Sequence, residues 1–217
     1  MKVMAVMAHP DDAEIWCGGT LILHADKGDS VRICSLSYTR DSARGREAEE
    51  GAHRMGCEAE LLGLPDSAIR DTDTAADHLT RSMNLFQPDT IITHWYDDAH
   101  PDHEATFQLV RRAFVRYLLA NSIYRWKDFP RVFCCDTYFS IGLRGPFSPD
   151  RFVDVTRFWG RKVEAIKAHE SQHLAVYLDM IDRQCLAHGQ TAGTEYAEGF
   201  IYLPMFGLPD EGQPLGS

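Results

Sequence analysis

Residues 2–7, Lys-Val-Met-Ala-Val-Met, are an apolar run of strand length that passes directly into Ala8-His9-Pro10-Asp11-Asp12-Ala13-Glu14. Ile15 to Leu23 is apolar again and reads as a helix. One histidine and three carboxylates therefore crowd a single strand-to-helix turn. In an open α/β sheet that turn lies at the carboxyl end of a strand, where ligands bind. Pro10 stiffens it and disfavours helix at His9. Asp11 and Asp12 are adjacent like charges and are expected to divide their roles. One can hold a cation while the other stays free to take a proton. The competing reading is a polar turn whose aspartates cap the next helix.

About ninety residues on, Asp97-Asp98-Ala99-His100-Pro101-Asp102-His103-Glu104 follows a second strand-like run, Thr90 to Trp95, and again opens a helix. Two strand ends with the same chemistry, HPDD and HPDH, favour a metal over mere capping. They resemble the turns of the LmbE-like, or PIG-L, family of zinc-dependent N-deacetylases. Weaker likeness extends to Leu64-Pro65-Asp66, to residues 162–172 (KVEAIKAHESQ) and to Ala197-Glu198-Gly199-Phe200.

Catalytic zinc keeps three protein ligands and a water. His9, Asp12 and His103 supply two imidazoles and a carboxylate, the set the resemblance also implies. Such a set suits Fe(II) and other divalent ions as well as Zn(II). Asp11, next to a ligand, is the expected general base, its role in the family. His100, protonated, is expected to donate to the oxyanion formed at an amide carbonyl. Asp98 or Asp102 is expected to orient His100 or a ligand imidazole from behind. Asp102 read alone could simply cap its helix, and Glu14 could be a first-turn carboxylate favoured by the helix dipole. The resemblance implies substrate contacts for Arg44 and Asp66. For Arg44 the alternative is an ion pair with Glu47 along one helix. His94, His169 and His173 receive no role.

Strand-like and helix-like stretches alternate along the chain. Strands are expected at 2–7, 31–36, 59–64, 90–95, 131–139, 152–155 and 197–203. Helices are expected at 15–27, 42–55, 74–86, 104–119, 157–171 and 177–188, with Gly56 a helix stop. This alternation predicts one doubly wound, Rossmann-like α/β domain with a mainly parallel sheet flanked by helices, over residues 1–206. Residues 207–217 are expected to be a flexible tail. Residues 121–139 are rich in aromatics; core packing is the first expectation and a lid or subunit contact the second.

The chain of 217 residues is 44% hydrophobic, long enough for a sizeable core. Its net charge of −10 argues against nucleic acid and anionic membranes as partners. No apolar run approaches the ~20 residues of a transmembrane helix, and the first residues lack the shape of a signal peptide. A cytoplasmic enzyme is therefore expected. Six cysteines without CxxC spacing read as buried small hydrophobes, with a redox pair at Cys134-Cys135 as the alternative.

The function these observations predict is removal of the N-acetyl group from a small N-acetylglucosaminyl compound. The alternative is an amidase of the same mechanism acting on another small amide, such as a sugar-thiol conjugate. A non-catalytic sugar- or nucleotide-binding module is disfavoured, because Gly18-Gly19 fits neither GxGxxG nor a P-loop. A homo-oligomer is among the partners the sequence allows. The loop Thr39 to Gly45 is shorter and more basic than the resemblance implies, so the part of the substrate it faces is expected to differ.

Overall fold

The computed structural model describes residues 1–207 and 215. Seven strands form one sheet: β1 (Lys2–Met7), β2 (Ser30–Ser37), β3 (Glu58–Leu64), β4 (Thr90–Thr93), β5 (Arg131–Cys135), β6 (Arg151–Asp154) and β7 (Ala197–Leu203). Six α-helices flank it: α1 (Asp12–Asp26), α2 (Ala43–Met55), α3 (Asp73–Phe86), α4 (Pro101–Ala120), α5 (Trp159–Ile166) and α6 (Leu174–Ala192). The strand order is β3-β2-β1-β4-β5-β7-β6. The first five strands are mutually parallel, and β7 runs antiparallel between β5 and β6. The expected mainly parallel, doubly wound architecture is thus observed.

Burial of both faces explains why β1 reads as unbroken apolar sequence. Successive strand side chains point to opposite faces. Val3, Ala5 and Met7 pack in a core with residues of α1, α2, α5 and α6. Met4, Val6 and Ala8 pack on the other face with residues of α3 and α4. The order of strands reverses between β1 and β4, which makes their carboxyl ends the switch point where a ligand crevice opens. The His9 turn leaves β1 and the His100 turn follows β4, so both HPD turns border that crevice.

Most element ends lie within a few residues of the sequence expectation, and the departures have local causes. The first helix begins at Asp12, three residues early, and is kinked at Cys17 (φ −144°, ψ 15°). The kink frees amides that a straight helix would use, and Glu198 of β7 accepts them. Gly19 N–H and Thr20 N–H each donate at 2.8 Å, and the Thr20 hydroxyl donates at 2.6 Å. The same carboxylate pairs with Lys162 Nζ at 2.6 Å, both side chains being buried. This satisfies a buried charge with four donors, the condition under which burial is tolerable. It also gives the 162–172 and 197–200 segments a structural task.

The strand expected over 131–139 stops at Cys135. Tyr138–Ser140 is a 3₁₀ turn with Phe139 at φ +55°, which no strand can continue through. The helix expected over 157–171 is divided into a 3₁₀ turn, Thr156–Phe158, and α5, which ends at Ile166. Gly56, at φ +79°, ends α2 as expected. All six cysteines are free, and burial pushes the Cys134 thiol up to about 12, so it behaves as a core residue. Apart from Gly207 and Leu215, the expected tail lies outside the described residues. Leu215 is buried, and its carbonyl accepts from His24 Nε2 at 2.6 Å.

Glu198→Ala strands the Lys162 ammonium and three further donors at once. Breaking a buried pair in this way costs about 3–5 kcal/mol. The expected result is a clear fall in the urea midpoint; a midpoint equal to wild type would show that the kinked helix does not depend on this carboxylate.

Candidate metal and catalytic site

The His9 turn folds on its own aspartate. His9 N–H donates to Asp12 Oδ2 at 2.7 Å, which draws that carboxylate back over the end of β1. Asp11 occupies the N-cap position of α1, yet its side chain makes no capping bond. The competing reading, in which these aspartates serve only to cap the helix, therefore fails. Across the switch point, Pro101 opens α4 and His100 caps it, its Nδ1 accepting from Asp102 N–H at 3.2 Å. His100 is thus the cap, not Asp102.

Nitrogen or oxygen atoms of His9, Asp12 and His103 all lie within 4.8 Å of one another, and all three residues are buried. His9 Nδ1 is 3.2 Å from Asp12 Oδ2, and His103 Nε2 is 3.4 Å from Asp12 Oδ1. Each imidazole has a carboxylate behind its other nitrogen. His103 Nδ1 meets Asp98 Oδ2 at 2.8 Å, and His9 Nε2 meets Asp66 Oδ1 at 3.2 Å and Asp102 Oδ2 at 3.4 Å. Carboxylates so placed hold the far nitrogens as N–H donors and turn the near lone pairs inward, the usual arrangement around metal-binding histidines. His103 Nε2 is buried and lacks a hydrogen-bond partner. Burial opposes charge on His103, but Asp12 and Asp98 raise it to about 10. Burial likewise disfavours the Asp12 anion, but the facing imidazoles, His103 foremost, hold it well below the usual carboxylate range. A cluster that so favours positive charge, with an orphaned donor nitrogen and an N, N, O donor set, fits a divalent cation.

Asp98 and Asp102 thereby separate. The Asp98 carboxylate backs His103 and also accepts from the Thr137 hydroxyl at 2.7 Å and from His100 N–H at 2.8 Å. Asp102 backs His9 and accepts from Ile69 N–H at 3.2 Å. Its backbone, not its carboxylate, fixes His100. Because His100 Nδ1 accepts, its Nε2 carries the proton in the neutral ring. Burial, with His103 and His9 close by, pushes its pKa down. The shift favours a neutral N–H donor at His100 over the imidazolium expected from the sequence.

Asp11 is buried and lies against Arg44, with Oδ1 and Nη2 2.6 Å apart. Burial and the neighbouring Asp12 push its pKa up, while Arg44 and His169 act in the opposite direction. Arg44 does not pair with Glu47, as the alternative reading held. Glu47 instead accepts from Ser171 N–H and hydroxyl at 2.9 and 2.6 Å. Arg40, the other arginine of the basic loop, pairs with Glu49, and Arg46 of α2 donates to Asp41 O. Asp66 lies at the rim, partly exposed, and accepts from the Tyr38 hydroxyl at 2.5 Å. Tyr38 (φ +63°) and Ser67 (φ +57°) both hold left-handed backbone here, of the kind that collects at ligand sites.

Three neighbours escaped the sequence reading. His94 stacks on His103 with ring centroids 3.7 Å apart. Its Nε2 accepts from Ala8 N–H at 2.9 Å, and burial pushes its pKa down to about 4. Its 3.3 Å approach to Asp12 is accordingly a contact with a neutral ring, not an ion pair. Tyr138 lies parallel to His103 at 5.8 Å and edge-on to Trp16 at 5.1 Å. Thr137 holds Asp98. Had the fifth strand been ended at Cys135, Asp136, Thr137 and Tyr138 would have stood at a strand's carboxyl end and met the same rule that singled out His9 and His100.

Residues 4–114, just over half of the chain, match the model of the PIG-L family, described as GlcNAc-PI de-N-acetylase. A 1D-myo-inositol 2-acetamido-2-deoxy-alpha-D-glucopyranoside deacetylase from Thermobifida fusca is 24% identical, over 79% of this chain and 83% of its own. Diacetylchitobiose deacetylase from Thermococcus kodakarensis is also 24% identical, over 94% of this chain and 83% of its own. Among solved structures, the 4-carboxy-2-hydroxymuconate hydratase GalB from Pseudomonas putida KT2440 superposes with a TM-score of 0.81. It covers 98% of each chain at 22% identity, a likeness of fold.

Asp98→Asn removes the acceptor behind His103 while keeping its size. Divalent-metal affinity is expected to fall by about 10–100-fold, read by competition with a chromophoric chelator. Affinity equal to wild type would detach Asp98 from this role.

Proposed function

Because the chain belongs to the PIG-L family of GlcNAc-PI de-N-acetylases, we propose that it is a metal-dependent hydrolase that removes the acetyl group from a small N-acetylglucosaminyl compound. The observation that carries the reading is the convergence of His9, Asp12 and His103, each imidazole backed by a carboxylate. Zinc is the proposed ion, and ferrous iron suits the same donors. Held there, a divalent cation would polarise the amide carbonyl and lower the pKa of water toward neutrality.

The chain's own groups account for the proton movements. Asp11 accepts a proton from the attacking water at the oxygen not engaged by Arg44. His100 Nε2–H donates to the oxyanion as the carbonyl becomes tetrahedral. A neutral donor suits this task, since it gives a hydrogen bond without first gaining a proton. As the carbon–nitrogen bond breaks, Asp11 returns its proton to the leaving amine. The products are acetate and the free amino sugar. Arg44 and Asp66 border the crevice and are proposed to hold sugar hydroxyls, Arg44 by the donors left over from Asp11.

Two other reactions could use this cluster. Amide cleavage in a sugar-thiol conjugate would use the same residues. Hydration of a carbon–carbon double bond is raised by the fold shared with a hydratase along nearly the whole chain. A polyanionic substrate would call for unpaired cations beside the ligands. Arg44 is instead engaged by Asp11, Arg40 by Glu49 and Arg46 by a backbone carbonyl, which favours a neutral amino sugar. No helix among the described residues is long and apolar enough to cross a membrane. We place the enzyme in the cytoplasm, acting on a small soluble substrate.

Metal-loaded protein incubated with a panel of N-acetylglucosamine conjugates is expected to release acetate and amine in equal amounts. Hydrolysis of simple amides but of no panel member would put the amidase in its place, and product that keeps every carbon and nitrogen would indicate hydration. His9→Ala, Asp12→Ala and His103→Ala are each expected to lower metal occupancy. Asp11→Asn should keep the metal and lose about 10²–10⁴ in turnover. Near-wild-type turnover by Asp11→Asn at saturating metal would remove Asp11 as the base.

A further inference from the structure

Near the Asp11 turn lies a buried polar pair that none of the roles above uses. Glu14, on the first turn of α1, and His169, in the link between α5 and α6, are both fully buried. Glu14 Oε1 and His169 Nε2 are 3.3 Å apart. Both carboxylate oxygens and both ring nitrogens lack a hydrogen-bond partner. Four such atoms together are unusual, because buried polar groups are almost always bonded. A buried carboxylate is costly unless it is paired and hydrogen-bonded.

The pair adjoins the two elements that bring Asp11 and Arg44 together. Glu14 belongs to the turn that carries Asp11. Arg44 sits on α2, and α2 is clipped to the α5–α6 link by the two bonds from Ser171 to Glu47. Gly51 of α2 packs directly against the pair. A Cβ there would lie 2.3 Å from Glu14 Oε1 and 3.0 Å from His169 Nε2, so only glycine leaves the pair its space. Opposite charges meet here in two pairs, Arg44 with Asp11 and His169 with Glu14. Burial opposes a proton on His169, but Glu14 and Asp11 together raise its pKa.

We propose that His169 is a positioning residue for Asp11: with Glu14 beneath the turn and Gly51 making the room, it fixes the direction in which the Asp11 carboxylate meets Arg44 and the substrate. The proposal rests on the reading of Asp11 as the proton acceptor. Its sequence trace is the pairing of the glutamate in AHPDDAE with the histidine in KVEAIKAHESQ.

The test compares full-length, metal-loaded wild type with His169→Gln, Asp11→Asn and the double variant. His169→Gln is expected to lower kcat about tenfold or more with KM nearly unchanged, at wild-type metal content. In the Asp11→Asn background the same change should add less than about twofold, because coupled residues are not additive. Equal losses in both backgrounds would overturn the proposal, since a residue that only supports the fold acts regardless of Asp11. Crystal structures give a reading that needs no turnover. His169→Gln should shift the Asp11 carboxylate out of its contact with Arg44; Asp11 and Arg44 superposing on wild type would overturn the proposal. Should His169→Gln not fold, Gly51→Ala crowds the same pair from α2 and is put through both measurements with the same expectations. Wild type inactive on every panel member would defeat the proposed function, and the crystallographic comparison would still decide the role of His169.

Discussion

The parallel pairing of β1 with β4 is the contact on which the rest of the site depends. Val6 lies beside Thr93, and the Thr93 hydroxyl donates to Val6 O at 3.0 Å. One step further, Ala8 N–H donates to His94 Nε2, so the ladder is continued by a side chain after the strands have ended. The two HPD turns are thereby held at one height across the switch point. A slip of one residue in this register would turn every strand side chain to the opposite face, and His9 could no longer face His103.

Around that seam the charges are arranged in rows. Asp12 stands in the centre, imidazoles stand around it, and carboxylates stand behind the imidazoles. Burying this many ionisable groups is unfavourable unless each finds a partner. Most do: Asp98 has three donors, and Asp66 has the Tyr38 hydroxyl and His9. The exceptions around the site are Arg44 Nε, His94 Nδ1, His103 Nε2 and the Glu14–His169 pair, places where the fold spends stability without a structural return. Violations of local satisfaction of this kind are expected where function, not folding, sets the side chain.

How much of this was legible in the sequence follows from the range of each interaction. The HPDD and HPDH turns are local: strand, turn, ligand and helix fall within a dozen residues, so pattern reasoning reaches the α/β fold and brings His9, Asp12 and His103 forward together. The partner of Arg44 depends on how α2 packs on α1, which no spacing along α2 reports; the helix-periodic partner Glu47 was therefore the wrong one. Asp98 and Asp102 are four residues apart on one turn, and only the geometry of α4 decides which imidazole each backs. His94 and Tyr138 were hidden by their company, since a histidine after Thr-Ile-Ile-Thr and a tyrosine in an aromatic stretch both read as core.

Glu198 lies 179 residues after Gly19, whose amide it accepts. The family model spans residues 4–114 and ends long before it. During synthesis, the residues that would hold the metal and the base all emerge while the carboxylate that secures the kink of their helix is still inside the ribosome. Closing so long a loop is entropically expensive and places the step late in folding, as high contact order does generally. The nascent chain therefore passes through a period in which the HPDD turn exists without its brace. A fragment cut at the family boundary would remain in that state permanently, with both HPD turns present and the kink of α1 without the carboxylate that secures it.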